Sequence, residues 1–396
     1  MNNRLLTLLS TFMLCSLELG VATQSAYAEP MRFYCGTYTT RLGHVDGKAK
    51  AIGIYELDGQ SDEIRSLGLS PPITNSSHLC ASKDGTKLYV SSEVVEYEGK
   101  EDGYLTVFDV DSETGALTFR QRVSSSGPGP AYVHLDQSGK YLLLANYVAG
   151  NVVVYPIFPD GTLGEPTSKV EHRGSSINAA RQEGPHPHSI VPSPDNRFVY
   201  VPDLGIDRIV AYRLDSETGR LEAASEFDAK TPPGSGPRHF VFGAGDQSEG
   251  GTFAYCSLEL SSELAVYRVT EGKLTEVSRQ STLPEEFTGE STTAEVRVSA
   301  DGRHVYVANR GHDSIAVFDL SKDPAKPKLV EIVKTAGRTP RNFGPSPDGN
   351  WLVVGNQDSH TLVTFRRDQA SGRLKQVSEP VESPSPALIY FVEPQE

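Results

Sequence analysis

HSIVPSPDNRFVYVPD, residues 188–203, is an apolar run, a Ser-Pro-Asp-Asn turn and a second apolar run that ends in a polar residue. The phrase returns as AEVRVSADGRHVYVAN (294–309) and RNFGPSPDGNWLVVGN (341–356). Looser copies are HLCASKDGTKLYVSS (78–92), YVHLDQSGKYLLLAN (132–146) and RHFVFGAGDQSEGGTFAYCSL (238–258). Anchoring each copy three residues before the polar end of its second run gives Tyr34, Tyr89, Leu143, Tyr200, Tyr255, Tyr306 and Val353. These seven anchors recur at roughly 50-residue intervals, a spacing typical of propeller blades.

Each unit reads as four short strands, A to D. A and B flank the Ser-Pro-Asp-Gly-type turn, and C is a run such as LTVFDV, NVVVYPI or SIAVFDL. D follows a turn such as SETGAL or PDGTL, where Gly, Asp and Ser supply positive φ and local side-chain bonds. The first unit begins at MRFYCGTY and lacks strand A, whereas SPALIYFV (385–392) resembles the missing strand and aligns with PAYV, PHSI, PRHF and PRNF. The pattern predicts an all-β fold: a seven-bladed β-propeller of four-stranded antiparallel blades, with the C-terminal strand closing the first blade. Such a clasp leaves the ring without an open edge.

Residues 1–28 read as an export signal. Arg4 is the basic start, an apolar stretch too short to span a membrane follows, and Ala26-Tyr27-Ala28 is a cleavage site. The mature chain is then 29–396, one propeller domain, soluble and placed in the periplasm or outside the cell. A formal net charge of −14 argues against nucleic acid or an anionic membrane as partner. It leaves room for an anionic small molecule in a local basic pocket. Cys35, Cys80 and Cys256 are too few for a disulfide framework and read as buried thiols, with a Cys35–Cys80 bond as the alternative.

Because A and B form a hairpin, the start of A and the end of B lie on one face of the ring, around the mouth of the central channel. The A starts supply Ser77-His78, Ala131-Tyr132, His188-Ser189, Arg238-His239, Ala294-Glu295 and Arg341-Asn342. The loops after B supply Glu93, Tyr147, Leu204, Glu259, Arg310 and Gln357. Blades four to seven thus bring His188, Arg238, His239, Glu259, Glu295, Arg310 and Arg341 to one mouth, with His186 and His312 nearby. Charges gathered where solvent is partly excluded are costly unless paired or used.

These residues also carry a family resemblance. YCGTYT (34–39), GPHPHS (184–189), PDLGIDRIVAY (202–212), GPRHF (236–240), LEL (258–260), ANRGHDSI (308–315) and TPRNF (339–343) occur together in order. The chain resembles the seven-bladed lactonase family, which includes propeller-type 6-phosphogluconolactonases and the fungal carboxy-cis,cis-muconate cyclase. The resemblance implies a site of one His, one Glu and two or more Arg. By motif these are His188, Arg238 and Glu259, with Arg341 or Arg310 as the further arginine. It also implies a sugar lactone, 6-phosphoglucono-lactone foremost, as the small-molecule substrate.

Opening a lactone requires an activated water, a neutralised oxyanion and a protonated leaving oxygen. Arg238 and Arg341 suit the oxyanion or a substrate anion. His188 can move a proton, and Glu259 is either the base or the group that holds His188 or an arginine. His186, His239, Glu295, Arg310 and His312 are read as substrate-binding. No cofactor and no metal are expected, although His186-Pro187-His188 with His239 and Glu295 is the one metal alternative. There is no G-x-S-x-G elbow, Walker loop or G-x-G-x-x-G. The rival readings are a muconate cycloisomerase and a non-catalytic binding platform. Arg238 is read as standing at an exposed mouth, so that truncating it would leave no cavity in the blade cores and change stability little.

Overall fold

The computed structural model describes residues 30–243 and 252–392. The export signal assigned to 1–28 lies outside the described residues.

Seven antiparallel blades form the molecule. Blade 2 shows the plan: Ser76–Ala81 is innermost, followed by Lys87–Ser92, Tyr104–Val110 and Leu117–Ser124. Among the described residues the only helical turns are two short 3-10 segments, Leu204–Ile206 and Ser225–Phe227. No described helix is long and apolar enough to cross a membrane.

Blade 1 has Met31–Thr37, Gly53–Leu57 and Ile64–Leu69 from the N-terminal part of the chain. Its innermost strand is Pro386–Phe391, paired antiparallel to Met31–Thr37 with Phe33 opposite Phe391 and Cys35 opposite Ile389. That strand also packs against the inner strands of blades 7 and 2, so the two ends of the chain close the ring.

The repeated sequence features have structural jobs. In the A–B turn of blade 4, Ser193 Oγ donates to Asp195 and accepts from the Phe198 N–H, while Asp195 accepts from the Arg197 N–H. Gly302 at φ +68° and Gly349 at φ +70° complete the corresponding turns of blades 6 and 7. The anchor tyrosines join neighbouring blades. Tyr34, Tyr89, Tyr200, Tyr255 and Tyr306 each donate a phenol hydrogen bond to a carbonyl in the C–D turn of the following blade. Where the anchor is Leu143 or Val353, a strand-mate two residues earlier substitutes: Tyr141 bonds Glu217 O, and the Trp351 indole bonds Asp62. Every seam thus carries one such bond, 2.6 to 3.2 Å long.

Cys35, Cys80 and Cys256 are buried free thiols, which excludes the Cys35–Cys80 alternative in this structure. Burial pushes the Cys35 thiol up to about 12, so it is an inert small hydrophobe.

Candidate active site

At the channel mouth the A–B ladders break their register. Shifts fall between Ser76 and His78, Pro130 and Tyr132, Pro237 and Phe240, Thr293 and Val296, and Pro340 and Asn342. On the clasp strand the shift skips Ala387. A bulge leaves an extra residue unpaired and re-aims its side chain. The residues so released are Ala387, Ser77, Ala131, Arg238-His239, Ala294-Glu295 and Arg341. Blade 4 reaches the same place differently: its ladder A strand is only Val191–Pro192, and His188 sits on the segment before it, tied by its N–H to Pro202 O.

The outcome is an asymmetric ring. Blades 1, 2, 3 and 6 bring small residues (Ala387, Ser77, Ala131, Ala294), whereas blades 4, 5 and 7 bring His188, Arg238 and Arg341. A cavity of about 10 Å³, roughly the seat of one water, is lined by Tyr38, Ser77, His78, Glu93, Ala131, His188, Arg238, His239, Arg341, Asn342 and Ala387.

Glu259 stands behind this lining as the centre of an arginine cluster. Its Oε1 is 2.7 Å from Arg181 Nη2, and its Oε2 is 2.9 Å from Arg310 Nη2 and 3.0 Å from Arg238 Nε. The Arg238 contact lies off the N–H axis, so it is an ion pair without a directed hydrogen bond. Burial alone would raise the Glu259 carboxyl, but Arg310, Arg238 and Arg181 outweigh it and hold it well below the carboxylate range. Burial, then Arg310 and Arg341, push Arg238 down to about 9, which keeps it cationic at neutral pH. Among the described residues no carboxylate lies within ion-pair distance of Arg341, although Glu93 and Glu259 act on it from farther off; its guanidinium lies 5.1 Å over the Tyr38 ring.

The histidines divide into fixed and open. Arg238 Nη1 donates to His239 Nε2 at 3.1 Å, which leaves the proton on Nδ1 facing Glu295 Oε2 at 3.2 Å. Glu295 is further held by Arg297 and by a short bond from Asn342. Among the described residues the His188 imidazole has no hydrogen-bond partner; it meets Tyr147 and His239 edge-on. Burial, followed by the Arg238 charge and the neighbouring His239, pushes it well below the usual imidazole value, so it is neutral near pH 7. His78 is likewise neutral, with Nδ1 accepting from the Val133 N–H and Nε2 unpartnered.

The structure therefore gathers His188, Arg238, His239 and Arg341 on one cavity and sets Glu259, Arg310 and Glu295 behind it as ion-pair partners. Of the five expected substrate-binding residues only His239 lines the cavity: Glu295 and Arg310 stand behind it, as does the expected catalytic Glu259, and His186 and His312 lie farther off. His186 stacks on Tyr147 and bonds Tyr147 O and Glu183, while its N–H donates to the buried Asp203 carboxylate. His312 bonds Ser314 Oγ and packs against Phe287 in the outer part of blade 6. Among the described residues no three His, Cys, Asp or Glu side chains are grouped to hold a metal ion. The arginines are not exposed: Arg238 is 2% and Arg341 9% accessible, which overturns the expectation that truncating Arg238 leaves stability unchanged.

Tyr38, His44, Arg181 and Arg297 were not singled out from the sequence as site residues. Tyr38 lies inside the YCGTYT phrase and Arg297 on the repeated strand AEVRV, two residues past the strand opening that was read as the mouth, whereas His44 and Arg181 lack a repeat position that would mark them.

A protein-family model described as a lactonase, seven-bladed beta-propeller, matches residues 32–391. A 6-phosphogluconolactonase of Bacillus subtilis is 34% identical over 361 residues, covering 91% of this chain and 97% of the relative. A 6-phosphogluconolactonase of Formosa agariphila is 31% identical over 344 residues, 86% of this chain and 95% of the relative. Among solved structures, a periplasmic gluconolactonase of Pseudomonas aeruginosa superposes with a TM-score of 0.83 at 33% identity, covering 92% of this chain and 99% of that one. Seven closed blades, an arginine-rich channel mouth and a family match running almost the full length of the ring agree: the chain belongs to the seven-bladed β-propeller lactonase family, carboxylic-ester hydrolases that open lactones.

Proposed function

We propose that the chain hydrolyses a sugar lactone, with 6-phosphoglucono-lactone to 6-phosphogluconate as the foremost reaction. The observation that carries this reading is the pairing of Arg341, a cation with no carboxylate in ion-pair contact among the described residues, with the neutral imidazole of His188, which has no hydrogen-bond partner among them, on one buried cavity. Arg238 and Arg341 receive the charge that develops on the carbonyl oxygen as water adds. Glu259 keeps Arg181, Arg238 and Arg310 in place and is not the base, since accepting a proton there would leave three arginines facing a neutral acid. His188 orients the water, and a carboxylate takes the water's proton and returns it to the ring oxygen as the C–O bond breaks.

A second reading, an unphosphorylated gluconolactone met after export, is supported by the signal-like residues 1–28 and by the periplasmic gluconolactonase among the structural relatives. The test is proton release on phosphorylated and unphosphorylated sugar lactones, with and without a chelator. Metal-independent turnover is expected. Inertness toward every sugar lactone and muconolactone, with intact folding, would move the assignment to a binding platform.

A further inference from the structure

We propose that Glu93 is the catalytic carboxylate of this site, a deduction that rests on the lactonase reading. Among the described residues lining the cavity, Glu93 is the only carboxylate. Glu259 and Glu295 lie outside the lining, and their oxygens are committed to arginines, His239 and Asn342. Glu93 by contrast has no arginine within ion-pair distance among the described residues, and it receives a side-chain hydrogen bond from the Tyr38 hydroxyl to Oε2 at 2.8 Å. Among the described residues the one ion-pair contact of its Oε1 is the His44 imidazole, at the 4.0 Å limit, while Arg341 acts on the carboxylate from farther off. Burial and Arg341 push that imidazole down to about 4, so it is neutral and leaves the oxygen available.

The surroundings hold Glu93 as a working group is held. Its N–H donates to Asn75 O at 2.9 Å, and its carbonyl accepts from Asn75 Nδ2 at 3.1 Å. The same Asn75 side chain accepts from the Thr39 and Thr40 N–H groups, which fastens the segment carrying Tyr38 to the strand end carrying Glu93. Asn75 is fully buried and adopts φ +44°, an uncommon backbone for a non-glycine residue and one that fixed surroundings must maintain. Tyr38 in turn carries the Arg341 guanidinium on its ring. One connected unit therefore presents a carboxylate, a phenol and the Arg341 guanidinium to the side of the cavity opposite blades 4 and 5.

The step balances on these groups. A water oxygen bonds the lactone carbonyl carbon while Glu93 accepts one of its protons, and the carbonyl π electrons move to the oxygen facing Arg238 and Arg341. When the carbonyl re-forms, the bond from carbon to ring oxygen breaks and Glu93 returns the proton to that oxygen. Protonating Glu93 removes a charge, whereas protonating His188 would add a cation beside Arg238 in a buried place.

The test compares Glu93→Gln, Glu259→Gln and His188→Asn on a lactone the wild type turns over. Glu93→Gln keeps the shape and the Tyr38 contact, so the melting temperature should hold while kcat falls about a hundredfold or more, with KM little changed. The acid limb of the wild-type pH–rate profile should vanish in Glu93→Gln and survive in His188→Asn. Wild-type turnover with Glu93→Gln within about threefold of it, or an acid limb lost only in His188→Asn, overturns the assignment of Glu93 and leaves the lactonase reading standing. A folded wild type inert on all lactones overturns both.

Discussion

Arg238 shows how the smallest scale couples activity to stability. It faces the cavity with one nitrogen, pairs with Glu259 through another and sets the His239 tautomer. Arg238→Ala should lose about 3–4 kcal/mol of transition-state stabilisation, a hundred- to a thousandfold in kcat, as removal of an oxyanion donor does. It should also lower the melting temperature, because it leaves a cavity and strips His239 of a partner. Arg238→Lys should restore charge but not the fork, so rescue is partial. Glu259→Gln should be worse for the fold, about 3–5 kcal/mol, since it leaves buried arginines without their common counter-charge. Denaturant midpoints and single-turnover rates on the same samples separate the two effects. His188, Arg238 and Arg341 were legible in the sequence because they open a repeated strand, so the repeat itself assigns them a place. Tyr38, His44 and Arg181 were not, because they sit on segments inserted between repeat strands, where periodicity carries no information. Exposure was illegible too: nothing in GPRHF or TPRNF says that the bulge turns the arginine into a nearly closed channel.

At the scale of elements, the strands were legible and the bulges were not, since an extra residue at the head of a strand looks like any other residue. The clasp was visible because SPALIYFV has the opening of the other inner strands, and its pairing with Met31–Thr37 makes it the partner that blade 1 needs. Deleting 385–396 removes Pro386–Phe391 and uncovers an edge in contact with blades 2 and 7. The expected cost is several kcal/mol, seen as a lower denaturant midpoint and faster proteolysis. A truncated protein that melts with the full chain would refute the closure. The seam bonds give a finer test. Tyr200→Phe keeps the ring and removes one buried hydrogen bond to Gly272, leaving that carbonyl unsatisfied at a cost of about 1–3 kcal/mol. Tyr34→Phe should behave alike, because it occupies the same position at another seam, whereas Tyr306→Phe should cost more, because its hydroxyl also accepts from Arg367 Nε at 2.8 Å.

For the whole molecule, the buried site ties stability to pH. Burial, chiefly, holds His78, His188 and His239 well below their ordinary value in the folded state. The unfolded chain therefore binds more protons than the folded one once pH falls below about 6.5. Their contribution is complete above that value and is lost as pH drops toward the folded values, at up to about 1.4 kcal/mol per pH unit for each histidine. Glu259, held low in the fold, acts in the same direction below about 4.5. Urea midpoints at pH 7.5, 6 and 5 should fall in that order; a flat series would mean that these imidazoles are solvated. Charge also separates the two substrate readings. The chain carries a formal −14, yet its mouth is positive, with Arg181, Arg238, Arg310 and Arg341 against Glu259 and Glu93. A phosphorylated lactone is repelled by the distant acidic shell and attracted by the mouth. Salt screens charges beyond about 8 Å at 0.15 M but only beyond about 30 Å at 0.01 M. Raising salt over that range therefore removes the long-range repulsion first, and kcat/KM for a phosphorylated lactone should change with salt while that for its neutral counterpart stays flat. If the neutral lactone is turned over faster at every salt concentration, and N-terminal sequencing from an exporting host returns Glu29, the chain is a gluconolactonase of the exported compartment rather than a sugar-phosphate enzyme. An intact Met1, together with a preference for the phosphorylated lactone, would decide for the opposite assignment.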